Sequence, residues 1–309
     1  MRWECLQGVC MNKLKNILVL TDFSPTASDA LKRAHDLASA SGARLQALHV
    51  IDEQIVTDFQ ELTEHPTDLV DRELRNEARS DYAEALVEAG LPQDAVPLRV
   101  EVGSPFAVVL DQVNEDNIDL VVAGKQGRGS AHLRGGVGAF AAKVLRKLPT
   151  KVMLVQRGGG IPRKVLCAVD LSPNARLALE QAIIVAHLGH HHLEIVNVFP
   201  PPWSPGSGHR PAYSVIDEQR RMAQQRLSIF LHGKRGILQE LDVTELTLES
   251  DEPALAIAER LAPNDLLVMG TRGRTVATKA MVIGTHAERL LHAVPSSVLA
   301  VKPADFAWS

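Results

Sequence analysis

The chain is predicted to fold as an α/β protein of two tandem domains, each an open parallel five-stranded sheet with helices on both faces. Three observations predict this. Short apolar runs alternate with stretches of helical periodicity along the whole length. The order of these runs occurs twice, with a period near 150 residues. Each copy also carries an aspartate after its first run and a Gly-x-x-Gly loop after its fourth. Solenoid units are only about 20 to 50 residues long, so a repeat of this period is a duplicated domain. An offset of 146 carries Gly124-Lys125-Gln126-Gly127 onto Gly270-Thr271-Arg272-Gly273, Asp119 onto Asp265, Gly138 onto Gly284 and Pro149 onto Pro295. Earlier in each copy an offset of 148 carries Asp22-Phe23-Ser24-Pro25 onto Asp170-Leu171-Ser172-Pro173 and Pro105 onto Pro253. The second copy has therefore lost two residues between Pro253 and Asp265.

The elements of the first copy follow in order. Asn16 to Thr21 is a continuous apolar run, as expected of a strand buried on both faces. Ser24 and Pro25 open a helix, Ser accepting from first-turn amides and Pro needing no donor there. Ala27, Leu31, Ala34, Leu37 and Ala38 continue it to Ser41-Gly42. A second strand spans Leu45 to Ile51, followed by an acid-rich connection and a long helix from about Asp68 to Gly90. Strand three is Val96 to Val102, and a helix opens at Pro105. Strand four, Leu120 to Ala123, runs into the glycine loop. A helix from about Ala139 to Leu148 and a strand from Lys151 to Val155 complete the copy. The second copy places strands at Lys164 to Val169, Leu193 to Val198, Leu241 to Leu248, Leu266 to Met269 and Val298 to Val301. Pro200 to Pro211, rich in Pro, Gly and Ser, replaces the acidic connection. Gly158-Gly159-Gly160 before Pro162 reads as the linker, giving domains 1–158 and 159–309, with residues 1–11 outside the repeat and Met1 or Met11 as the start.

At 309 residues and a net charge of −4, each domain can bury its own core, and there is no footprint for a nucleic-acid backbone. No apolar run is long enough to span a bilayer. Three sparse cysteines, Cys5, Cys10 and Cys167, suit a reducing cytoplasm, the first two reading as free thiols on a tail. His190-His191-His192 falls between a helix and a strand, where consecutive side chains diverge rather than converge on a metal. Arg220-Arg221 reads as a solvated helix face.

In open α/β sheets, ligands sit outside the carboxyl ends of the strands where the strand order reverses. Asp170 and Gly270 stand at two such ends. Glycines there let backbone N–H groups approach a ligand, and the helix starting after Gly284 adds its N-terminal amides, with Thr285 supplying a hydroxyl. A base carrying phosphates suits such a cleft. There is no Gly-x-x-x-x-Gly-Lys-Ser/Thr loop, nor a Gly-x-Gly-x-x-Gly after the first strand.

The aspartate after strand one, Gly-x2-Gly, and a third glycine followed by Ser or Thr resemble the universal stress proteins over nearly the whole chain after Met11. The resemblance implies strand order 3-2-1-4-5 and ATP, alone or with Mg2+, in the cleft. Carried over, Asp170 and Val198 meet adenine and ribose, while Gly270, Gly273, Gly284 and Thr285 hold phosphates. The first copy keeps Asp22, Val50, Gly124, Gly127 and Gly138 but has Ala139 at the hydroxyl position. One lost phosphate hydrogen bond costs about 1.5–3 kcal/mol, roughly tenfold or more in affinity. The second site is therefore expected to bind better, with Lys125 as a compensating charge in the first.

Three functions are weighed: a cytoplasmic ATP-binding regulatory module, a nucleotide-independent scaffold, and a slow ATPase. The last is weakest, since no nucleophile with a base partner stands beside the loop in the sequence. Strand five is an apolar edge that needs cover. In the family this edge supports dimers, so an internal pseudo-dimer of the two domains is expected, together with possible homodimers.

Overall fold

A computed structural model describes residues 14–63, 66–130, 136–201, 213–273, 283–303 and 306. The chain divides into two compact units, Lys13–Ile161 and Pro162–Ala307.

The first unit contains strands β1 (Asn16–Leu20), β2 (Arg44–Ile51), β3 (Leu98–Val102), β4 (Leu120–Gly124) and β5 (Lys151–Val155). Its helices are α1 (Pro25–Ser41), α2 (Glu53–Thr63), α3 (Thr67–Glu88), α4 (Pro105–Glu115) and α5 (Ala139–Lys147). The strand order is β3-β2-β1-β4-β5, with every pairing parallel. The second unit repeats it. Strands β6 (Lys164–Ala168), β7 (His192–Phe199), β8 (Val243–Glu249), β9 (Leu266–Gly270) and β10 (Ser297–Val301) lie in the order β8-β7-β6-β9-β10, again all parallel. Its helices are α6 (Pro173–Gly189), α7 (Tyr213–Leu231), the single turn α8 (Arg235–Leu238), α9 (Pro253–Ala258) and α10 (Thr285–Ala293). This is the predicted fold class and strand order.

The central strands are buried on both faces. Ile17, Leu18 and Val19 of β1 and Val121 and Val122 of β4 are fully covered, as are Val165, Leu166 and Cys167 of β6. Helices cover both sides of a parallel sheet, which explains continuous apolar runs rather than alternation. Helix α1 starts as its sequence dictates: Ser24 Oγ accepts from the Ala27 amide at 3.2 Å, Pro25 follows, and left-handed Gly42 ends the helix. Helix α6 repeats the start, Ser172 Oγ accepting from Ala175 at 3.1 Å, but ends on left-handed His190. His190 thus caps a helix, while His192 Nδ1 pairs with Asp242 at 2.9 Å. Arg220 and Arg221 are exposed and paired with Glu249 and Glu218.

One difference from the sequence reading is α2, which occupies the acid-rich connection. Ile55, Val56, Phe59 and Leu62 recur along it at helical spacing, although Val56 alone among its described side chains is buried and Ile55 and Leu62 stay exposed. The Pro200–Pro211 segment lies outside the described residues from 202 to 211, as do Met11, Cys5 and Cys10. No helix among the described residues is long and apolar enough to cross a membrane.

A cleft built at the reversal of strand order

Strand order reverses between β1 and β4 in the first unit and between β6 and β9 in the second, because successive connections leave in opposite directions. The carboxyl ends at these reversals end in Asp22 and the Gly124 loop, and in Asp170 and the Gly270 loop.

Each aspartate fastens the two sides of its cleft. Asp22 Oδ1 accepts from the Ser24 amide at 3.1 Å, and its Oδ2 accepts from the Arg128 amide at 2.8 Å, across the sheet. A Cβ at Gly127 would run into that same Oδ2. Asp170 repeats the arrangement: Oδ1 accepts from Ser172 at 3.0 Å, and a Cβ at Gly273 would stand 2.8 Å from Oδ2. The second glycine of each loop is therefore required by the close approach of a carboxylate. Helix capping falls to Ser24 and Ser172, so the aspartates act as turn formers and loop clasps. Each carboxylate oxygen has a second lone pair, which leaves acceptor capacity toward the cleft. Phe23 and Leu171, next in sequence, hold left-handed φ values of 59° and 64°. Such strain in residues with side chains costs of order 1 kcal/mol or more and clusters at functional sites.

The glycine loops are anchored identically. The residue after the first glycine donates to the end of the fifth strand (Lys125 to Val155 O, 2.8 Å; Thr271 to Val301 O, 3.0 Å) and accepts from the helix-opening glycine (Gly138 at 2.9 Å; Gly284 at 2.8 Å). Gly138 and Gly284 are thereby fixed as the N-caps of α5 and α10. The next three amides of each helix have no intrahelical carbonyl to reach and are turned toward the cleft end.

In the first unit this geometry encloses a cavity of about 510 Å3. Asp22, Val50, Gly124, Gly127, Gly138 and Ala139, all six residues singled out for that site, line it. In the second unit Asp170 and Gly273 touch across the cleft, Gly270 and Gly284 close the loop, Thr285 opens α10 on an exposed face, and Val198 lies on β7 where Val50 lies on β2. The loop residues 274–282 lie outside the described residues.

Lys125 departs from expectation. Its side chain is 1% exposed and is not among the cavity-lining residues, whereas its neighbours Gly124 and Gln126 are. Burial lowers its pKa to about 8. The pairings Gly124↔Val155 and Gly270↔Val301 set position 125 beside 156 and 271 beside 302, and in-register neighbours project to the same face. At these two positions the first unit has buried Lys125 and partly exposed Gln156. The second has Thr271 and Lys302, both buried, and the Lys302 pKa falls to about 7 through burial and the nearby Arg272. Lysine and neutral residue have exchanged strands.

Two pairs of site residues escaped the sequence reading. His49 lines the cavity, and its Nδ1–H donates to Thr21 O at 2.9 Å, with its ring tilted against Phe23 at a centroid distance of 4.3 Å. Burial lowers its pKa, against the opposing hydrogen bond to Thr21 and the Asp22 charge. At the equivalent place Asn197 Nδ2 donates to Val169 O at 2.7 Å. The second pair is Thr26 and Asn174, which pack against the first glycine of each loop. Asn174 Oδ1 accepts from the Arg272 amide at 2.9 Å, and its Nδ2 donates to Val301 O at 3.1 Å. The 148-residue offset aligns both pairs, but the residue types differ, so identity between copies gave no signal.

The model of the universal stress protein family matches residues 13–156 and again 162–302. A staphylococcal protein named as a universal stress protein (Staphylococcus haemolyticus) is 29% identical over 143 residues, 46% of this chain and 84% of that protein. A solved universal stress protein from Archaeoglobus fulgidus superimposes with TM-score 0.59 at 20% identity, over 93% of this chain and 98% of that one. A Pseudomonas aeruginosa protein of unknown function gives TM-score 0.63 at 18% identity, covering 96% and 95%. These structural likenesses concern the fold.

Proposed function

The chain belongs to the universal stress protein family as a tandem member, and on that premise we propose that it binds an adenine nucleotide as a regulatory ligand. ATP, with or without Mg2+, is the ligand proposed for the second unit. There Asp170 and the Val198 backbone take the nucleoside, and Gly270, Gly273, Gly284 and Thr285 take the phosphates.

The observation that carries this reading is the convergence of six pattern residues on one cavity in the first unit, with the same clasp and loop anchors repeated in the second. The residues fit a nucleotide in kind. Apolar side chains such as Leu48 and Val109 suit a base, the carboxylate can accept from a hydroxyl, and unengaged helix amides can donate to a phosphate. On this reading the chain is a ligand-sensing stress-response protein of the cytoplasm rather than an enzyme. Scattering in solution tests the pairing of domains expected from the sequence.

The deciding experiment is an ATP titration by calorimetry on nucleotide-free protein. ATP binding abolished by Gly284→Val but not by Gly138→Val supports the reading for the second unit. No heat and no copurified nucleotide would leave the scaffold reading. Phosphate release well above that of the Gly284→Val control would make the protein an ATPase.

A further inference from the structure

We infer that the cleft of the first unit is selective for an adenine compound of low charge, a nucleoside or nucleoside monophosphate, and discriminates against a triphosphate. The inference rests on the adenine reading above and specifies the ligand class of one of its two sites.

Two aligned positions at the helix start change together between the units, in one direction. Ala139 and Phe140 line the first cavity where the second unit has Thr285 and His286. The exchanges remove a hydroxyl and a hydrogen-bonding ring from the helix end that would face phosphates, and the loop position Gln126 is neutral where the second unit has Arg272, whose guanidinium lies 5.5 Å from the Phe306 ring centroid. Among the described lining residues the only full charge is the Asp22 carboxylate, which repels a polyanion.

Among the described residues the cations nearby are committed elsewhere. Lys125 is buried outside the lining. The Arg128 guanidinium pairs with Asp81 at 3.2 Å and lies 5.9 Å from the Phe23 ring centroid. Lys143 sits 4.8 Å over the Phe106 ring. A cavity of about 510 Å3 lies within the usual range for small-ligand sites, roughly 300–1,000 Å3. Its walls (Leu20, Leu48, Val109 and the half-exposed Phe140) favour an aromatic base. Among the described residues the donors for phosphate are the α5 amides and the glycine-loop N–H groups, which suit one phosphoryl group and supply no cation for a chain of three.

The test uses the full-length Gly284→Val protein, which silences the second site, titrated with adenosine, AMP and ATP by calorimetry. Adenosine and AMP should each bind at one site, with ATP at least tenfold weaker than adenosine, and the added Gly138→Val change should abolish all three. Ala139→Thr with Phe140→Lys, both at exposed positions of α5, should swing the ATP-to-adenosine ratio at least tenfold toward ATP. On the wild-type chain, saturation with ATP should leave about one site open to adenosine, a result that does not depend on either glycine variant folding. ATP binding the first cleft as tightly as adenosine overturns the inference. If the wild-type chain binds ATP at the second site but neither adenosine nor AMP at the first, the inference alone fails. If no adenine compound binds at all, the nucleotide reading fails with it.

Discussion

Replacing Gly270 by alanine should damage the second unit through one buried amide. A methyl there would stand 2.8 Å from Asn174 Oδ1, 3.0 Å from its Cγ and 3.3 Å from its backbone carbon. Ordinary contact starts at 3.4 Å, so the amide must retreat by about 0.6 Å. Asn174 is buried in the first turn of α6 and holds the Arg272 amide at 2.9 Å and Val301 O at 3.1 Å. A retreat of that size stretches these bonds to about 3.5 and 3.7 Å, the limit of hydrogen bonding and beyond. Buried groups left unsatisfied cost about 1–3 kcal/mol each, so with partial relaxation Gly270→Ala should cost about 2–3 kcal/mol. Gly124→Ala meets Thr26 Cγ2 and Gln126 O at 3.1 Å. It needs a shift of only about 0.3 Å and should cost about 1 kcal/mol or less. Urea unfolding of both variants measures the difference, with amide exchange in β4 and β9 assigning the loss to a unit. Asn174→Ala supplies the cycle: with the amide gone, adding Gly270→Ala should cost little more. Additive costs, or Gly124→Ala equal to Gly270→Ala, would refute the mechanism.

Three further outcomes are expected. Tyr82 Oη–H donates to Val96 O at 2.9 Å in a buried setting, so Tyr82→Phe should lower stability by about 1–2 kcal/mol in urea unfolding. Burial would raise the Glu194 carboxyl, but hydrogen bonds from Arg260 and Lys164 outweigh it and hold its pKa below 4.5. Its contribution is therefore complete above pH 4.5 and lost as pH falls through the lower folded value. Wild-type stability should drop more steeply below pH 4.5 than that of Glu194→Gln in paired unfolding curves. Thr285→Ala should weaken ATP roughly tenfold by calorimetry while leaving adenosine affinity within about twofold.

The sheet was legible because its strands are buried on both faces, which writes continuous runs such as Ile17 to Leu20 into the chain. Duplication then separated invariant site positions from filler. Helix α2 carries an apolar stripe of Ile55, Phe59 and Leu62, but its acidic residues make the segment read as a connection, and only Val56 of its described side chains is buried. At the site, the sequence located Asp22 and Gly127 but not that they touch; that contact depends on register between β1 and β4, which no local pattern encodes. Lys125 was misjudged for a similar reason: adjacency to a phosphate loop says nothing about which face of the sheet a side chain takes. His49 and Asn174 act through backbone carbonyls and amides, a role open to several residue types, so nothing in their identity marked them.

The buried lysine that each unit takes from a different strand has an implication for recombining them. Transplanting the Gly124–Gly127 segment into the second unit would bring a lysine to position 271 beside Lys302, crowding two amines into one dry corner. The reciprocal graft would put threonine beside Gln156 and leave that corner with no amine at all. Outwardly the two halves are interchangeable cassettes with the same loop length and the same three pattern glycines. Their interiors carry a parity rule: loop and final strand must travel as a pair, and a chimera that splits them inherits a mismatch its surface would never reveal.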